Sequence, residues 1–239
     1  MRLHDGLKLR LEAGGPEVVL RINRRARRIS IRIDARSGEA IATAPSERRL
    51  KEAVEFARSR RGWIAERQSA RPPAHRFAPG GVVILGGRSY RLGAVRGAGA
   101  ARFADDPDGP LILSGGEGDA FARRVENLLR REARARLEAR TRVHERTLGL
   151  TPSTVSIMDA RSRWGSCTPQ NQTIRYSWRV IMAPEAVLDY LAAHEVAHRV
   201  HADHSPAYWR VVHGLVGDHR PHRAWLRDHG AALHAVNRG

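Results

Sequence analysis

Between positions 17 and 45 apolar and polar residues alternate as they do in strands. In Arg28-Ile29-Ser30-Ile31-Arg32-Ile33-Asp34 isoleucine recurs at every second position, giving one apolar and one basic face. Ser37-Gly38 predicts a turn, and Glu39-Ala40-Ile41-Ala42-Thr43-Ala44 a returning strand. Pro45-Ser46 stops the sheet and caps a helix in which Leu50, Val54, Ala57 and Ile64 keep helical spacing as far as Arg67. Positions 69–81, with Pro72-Pro73 and Pro79-Gly80-Gly81, read as a connector. Val82-Val83-Ile84-Leu85, Gly86-Gly87 and Ser89-Tyr90-Arg91-Leu92 then predict a second hairpin, and a turn at 105–109 precedes the strand Leu111-Ile112-Leu113.

A long helix is predicted from Asp119 to His144, with Phe121, Val125, Leu128 or Leu129, and Leu137 inward and arginines outward. Strands follow at 155–158 and 173–181 around a polar turn, and Pro184 opens a helix running to Val200. No repeat of fixed period is visible. The order of elements predicts an α+β fold, divided into a β-rich region with one helix over 1–116 and a second domain over 117–239.

Composition changes this picture in two ways. Lys+Arg 42 against Asp+Glu 25 gives a net charge of +17, and only Lys8 and Lys51 are lysines. Such a field favours association with polyanions, nucleic acid above all, and a solvated basic surface is the plainer alternative. The basic face of the long helix carries the same two readings. Cys167 is the lone cysteine, so no internal disulfide is expected and a reducing compartment is the natural reading. Residues 1–8 hold no unbroken apolar run and no stretch has the length of a membrane span, so neither a signal peptide nor a membrane partner is expected, and the cytoplasm is the expected location.

The chemistry lies in His194-Glu195-Val196-Ala197-His198. Histidines four apart stand one turn apart on a helix, so two imidazoles can converge on one ion. Val187, Leu191, His194 and His198 share a stripe, and Glu195 lies beside it, placed to act on water without being a ligand. A catalytic zinc takes three protein ligands and keeps one position open. Glu195 is the last glutamate of the chain, and His204, six after His198, is the third ligand the spacing favours, with His201 and His213 as rivals. A glycine is expected three after the second histidine, and His201 stands there instead. Ser205-Pro206 predicts a new helix bearing Tyr208 and Trp209. One Zn2+ ion and a hydrolytic reaction follow, with Glu195 as general base and His194, His198 and His204 as ligands. His213, His219, His222, His229 and His234 are expected to be ordinary exposed or hydrogen-bonded histidines.

Together Arg163-Trp164-Gly165-Ser166-Cys167, Trp178, Tyr190, the His194 to His198 motif, His204-Ser205, Trp209 and Trp225-Leu226 resemble the YgjP-like family of metallopeptidases, relatives of the SprT-like proteases. The strand at 27–34 and Trp63-Ile64 are similar too, so the resemblance covers most of the chain and is strongest from Arg161 to Leu226. It implies a zincin-like C-terminal domain with an active-site helix and a small antiparallel sheet, the ligands falling on the same three histidines and the catalytic role on Glu195. It also implies that the Arg163 to Cys167 segment lies near that helix and offers an edge to an extended peptide. Arg163, Trp164, Ser166 and Tyr208 are candidate substrate contacts. Trp164 could equally be core, Gly165 a turn requirement, and Cys167 a fourth ligand that would close the site. The leading expectation is a cytoplasmic zinc peptidase acting on protein or peptide. The alternatives are a zinc-dependent nucleoside triphosphate pyrophosphatase and a DNA-associated protease or nucleic-acid binder.

Overall fold

Short runs of β-branched and apolar residues, each broken by glycine or proline, leave the chain with sheets of only three or four strands. The computed structural model describes residues 2–34, 37–69, 76–160 and 163–236. Residues 70–75 of the expected connector, and Arg161 and Ser162, lie outside them. The chain divides into two compact units, Met1–Pro73 and Ala74–Gly239. The fold is α+β.

In the first unit β1 (Lys8–Arg10), β2 (Glu17–Ile22), β3 (Ser30–Ile33) and β4 (Ala40–Ala44) form a sheet in the order β1-β2-β4-β3. Val18, Leu20, Ala40, Ala42 and Ala44 pack on Leu50, Ala53, Val54, Ala57 and Ile64 of two helices. These are α1 (Leu50–Ser59) and α2 (Arg61–Ser69), where periodicity predicted one helix. The interruption falls at Arg60, whose N–H tightens onto the carbonyls of Ala57 and Arg58. Tightening of this kind is how a helix end satisfies its carbonyls.

The second unit begins with β5 (Val82–Leu85), β6 (Arg88–Val95), β7 (Arg102–Ala104) and β8 (Leu111–Gly115). Their order, β5-β6-β8-β7, and their pairing senses repeat those of the first sheet, with β6 parallel to β8 as β2 is to β4. These strands share one core with α3 (Gly118–Thr147), through Leu92 and Ile112 against Phe121 and Val125. They therefore fall in the second unit, whereas the sequence division was placed after residue 116.

The third sheet joins β9 (Thr154–Met158), β10 (Gly165–Thr168) and β11 (Thr173–Ser177) in the order β10-β11-β9. It is mixed rather than antiparallel: β10 returns against β11, but β9 runs parallel to it, because the chain makes its excursion through β10 before pairing. The strand expected to reach residue 181 ends at Ser177. Trp178–Met182 coils into a 3-10 turn, held by the Arg179–Asp159 ion pair and the Arg179 guanidinium 4.5 Å over the Trp178 ring. The remaining helices are α4 (Glu185–Ala197), α5 (Pro206–Val216) and α6 (Arg220–Ala235). No helix is long and apolar enough to cross a membrane among the described residues.

Helix α4 is clamped at both ends to α3 by charge. At its start Glu185 accepts from Arg136 at 2.7 Å and pairs with Arg140, and Asp189 Oδ1 lies 3.0 Å from His144 Nε2. Just beyond its end Arg199 donates to the buried Glu145 at 2.9 Å, and Glu145 also accepts from Arg142 at 2.7 Å and from the Ser153 N–H at 2.8 Å. Arginines of α3 also pair along their own helix, Arg130 with Glu126 at 2.7 Å and Arg142 with Glu138 at 3.0 Å, as a solvated charged face does.

Burial of Glu145 alone would raise its pKa, but the Ser153 and Arg142 hydrogen bonds outweigh it and hold the carboxyl below the ordinary glutamate value. A group depressed in the folded state stabilises at pH above its unfolded pKa, and that stability is lost as pH falls through the folded value. Breaking a buried ion pair from one side typically costs about 3–5 kcal/mol. Glu145→Ala is therefore expected to lower stability by that order at neutral pH and to flatten the acid limb below about pH 4. Urea melts across pH 3 to 7 check it, and a variant with an unaltered acid limb would show that Glu145 does not carry the dependence.

Candidate metal centre

Helix α4 holds alanine or bulkier apolar residues on nearly every face. Leu188, Ala192, Ala193, Val196 and Ala197 are fully enclosed, as well as the stripe of Val187 and Leu191. A helix apolar all round is a buried one, so the carboxyl at 195 is enclosed and the imidazoles at 194 and 198 are half-buried. The helix ends at Ala197, and the turn made elsewhere by glycine is made here by the Val200 and His201 N–H groups donating to the Ala197 carbonyl at 3.0 Å each. The chain then returns, and the Ser205 hydroxyl caps α5 by accepting from the Tyr208 N–H at 3.4 Å.

This return brings His204 back onto α4. His194 Nε2 and His204 Nε2 lie 3.3 Å apart, and one nitrogen from each of His194, His198 and His204 falls within 4.8 Å of the others. Two nitrogens bound at 2.0–2.1 Å to one tetrahedral zinc stand roughly 3.4 Å apart, so the His194–His204 pair already has the span of such an edge. Neither ring has another hydrogen-bond partner among the described residues, and the His194 Nδ1 is buried without one. Burial, then the neighbouring His198 and His204, lowers the His194 pKa to about 3, and burial lowers that of His198 as well. Neutral imidazoles are the form a cation needs. The His198 Nδ1 lies 3.3 Å from the His201 carbonyl, a contact that orients the ring. The donor set fits one divalent metal ion, and no other such group occurs among the described residues.

Glu195 is 4% exposed, and burial pushes its pKa up to about 8, with the Arg163 guanidinium pulling the other way. It borders a cleft of about 350 Å³ whose walls include His194, Tyr190, Trp164 and three arginines, Arg163, Arg223 and Arg227. Arg163 is exposed there, and Trp164 is half-buried, stacked 4.2 Å from the His234 ring. Gly165 abuts Glu195: a Cβ at Gly165 would lie 2.6 Å from the glutamate Cδ and 2.8 Å from its Cγ. Its backbone is not left-handed, so this glycine is required for space and not for a turn. Ser166, next along the strand, faces the other way by alternation and is not part of the cleft wall.

Tyr208 is fully buried and its hydroxyl donates its one proton to the His194 carbonyl at 2.9 Å, a contact that positions the histidine. Cys167 stays outside the histidine group, and burial pushes its thiol up to about 11. His213 is exposed on α5. His219 is not an ordinary surface histidine: its ring stacks 4.3 Å from Trp209, itself stacked 5.7 Å from His204. The Arg223, Leu226 and Arg227 part of the cleft wall comes from α6, a helix absent from the sequence-based expectations. The apolar spacing of Leu226 and Leu233 is the signal that could have found it.

No curated protein matches the chain. Among solved structures it is similar to the metallopeptidase zymogen of Pyrococcus abyssi abylysin, at 23% identity and a TM-score of 0.35, covering 39% of this chain and 92% of that one. The YgjP-like metallopeptidase domain model matches residues 27–229. The chain belongs to the YgjP-like metallopeptidase family.

Proposed function

We propose that the chain is a zinc peptidase of the cytoplasm, with His194, His198 and His204 as ligands and Glu195 as general base. The observation that carries it is a buried carboxyl, packed against Gly165 at the edge of the cleft, beside three imidazoles that converge on one point. His194, His198 and His204 would hold a zinc ion, which when bound would supply Lewis acidity to a scissile carbonyl and to water. An adjacent cation favours the ionised form of Glu195 against its burial. The carboxylate takes the proton of the attacking water and returns it to the leaving amine. β10 is an edge strand, so a substrate can pair with its free backbone and lie along the cleft. The guanidiniums of Arg163 and Arg223 make no carboxylate pair among the described residues and favour acidic side chains or a carboxylate nearby. The same arginines suit a nucleoside triphosphate, and phosphate release with and without chelator separates that second reading from peptide cleavage.

The test is metal content alongside cleavage of a quenched peptide. The purified chain is expected to hold one zinc per molecule and to lose cleavage with chelator. Loss of an outer-shell partner commonly costs 10–100-fold in metal affinity, and His204→Ala, which removes a ligand, is expected to cost more. A variant that keeps stoichiometric zinc would assign the third position to another group.

A further inference from the structure

Residues 1–73 hold 18 Lys and Arg against 9 Asp and Glu. Within this unit a groove of about 460 Å³ runs between β3 and the helix pair, with Ile29 and Ile31 on one wall and Phe56 and Trp63 on the other. The two rings are 37% and 39% exposed, unusual for large apolar side chains beside a packed core. They sit seven residues apart on α1 and α2, and arginines interleave them. The Arg60 guanidinium stands 5.8 Å from the Phe56 ring centre, and the Arg67 guanidinium 5.9 Å from that of Trp63.

The result is a ladder of ring, guanidinium, ring and guanidinium at positions 56, 60, 63 and 67. Arg28 closes the groove from the strand side, at the end of a loop carrying Arg24, Arg25 and Arg27. None of the six arginines at 24, 25, 27, 28, 60 and 67 has a carboxylate partner among the described residues, although arginines elsewhere in this unit do. Arg49 pairs with Glu52, and Arg61 with Glu12.

We propose that this groove binds single-stranded nucleic acid, with bases stacked on Phe56 and Trp63 and phosphates held by Arg28, Arg60 and Arg67. Exposed rings set in a track of cations are what an unpaired strand requires: each base offers a flat apolar face and each linkage one negative charge. A duplex hides its base faces and would leave both rings in water. An acidic peptide is the competing occupant, since β3 is an edge strand. Three guanidiniums, those of Arg28, Arg60 and Arg67, set beside two flat rings and free of carboxylate partners among the described residues, match a polymer with a charge on every unit more closely than a β-paired segment. The proposal concerns the first unit alone and does not depend on the peptidase reading.

The test uses the full chain and a labelled oligothymidylate, with anisotropy read over a range of salt. A duplex of equal length and polyglutamate serve as competitors. Binding is expected to weaken linearly with log salt. Replacing Phe56 and Trp63 together by alanine is expected to weaken it roughly tenfold or more, while Trp63→Phe, which keeps a ring, stays near wild type. Arg28→Glu with Arg60→Glu is expected to flatten the salt slope. Because Trp63→Phe conserves packing, its retained affinity beside the loss in the double alanine variant assigns the effect to stacking. The proposal is overturned by any of three results: unchanged affinity without the rings, preference for the duplex, or displacement by polyglutamate at equal charge, which would make this a peptide groove.

Discussion

Glu195→Gln is expected to lower kcat for peptide cleavage by about 10²–10⁴-fold, the range that a positioned acid–base group contributes. The amide has the carboxylate's shape and fills the same buried space against Gly165, but it cannot take a proton from water. Glu195 is not among the three groups able to hold the metal, so zinc content is expected to stay at the wild-type level. The fold is not expected to suffer. Burial pushes the Glu195 carboxyl up to about 8, so an ionised group there is unfavourable in the metal-free chain, and a neutral amide relieves that cost. The variant should melt no lower than the wild type without metal. Rates at saturating peptide, metal analysis and a thermal melt together separate the outcomes. Undiminished cleavage would remove Glu195 as the base, whereas lost zinc would show that it also holds the ion.

Local signals made much of this legible from the residues. The 3.6-residue spacing of Phe121, Val125, Leu128, Leu129 and Leu137 reports the buried face of α3, and all five side chains are enclosed. The period-two isoleucines mark β3, and Ser205-Pro206 marks the start of α5. The spacing of His194 and His198 needs only a helical turn, so their convergence carries over directly, whereas His204 joins them only because the chain turns back after Ala197. What depends on distant segments could not be read. β2 with β4, β6 with β8 and β9 with β11 pair in parallel across intervening strands, and alternation along one strand says nothing of its neighbour. The shared order of the first two sheets left no fixed period, because pairing is made by backbone while the side chains differ. Tyr208 presents an inviting hydroxyl in the sequence, and only the fold shows it bonded to the His194 carbonyl.

Gly165→Ala is the second large effect, and it isolates position from identity, since every group of the centre remains in place chemically. The added methyl would stand 2.6 Å from the Glu195 Cδ and 2.8 Å from its Cγ, inside contact distance. Something must move. The strand backbone is fixed by its pairing with Tyr176 of β11, while the carboxyl is the free end of a side chain, so the carboxyl is the part that yields. Gly165 has no left-handed conformation to lose, and alanine in a strand is entropically cheaper than glycine, so the fold is expected to persist. A misplacement of about 1 Å at a reacting group can cost roughly 10²-fold. Cleavage is therefore expected to fall by about that factor with zinc content unchanged, smaller than the loss in Glu195→Gln and of the same kind. Combining the two substitutions gives the sharper reading: if Gly165 acts only by placing the carboxyl, then Gly165→Ala should have little further effect once residue 195 is glutamine. Full additivity of the two losses would mean that the glycine serves the substrate strand along β10 instead.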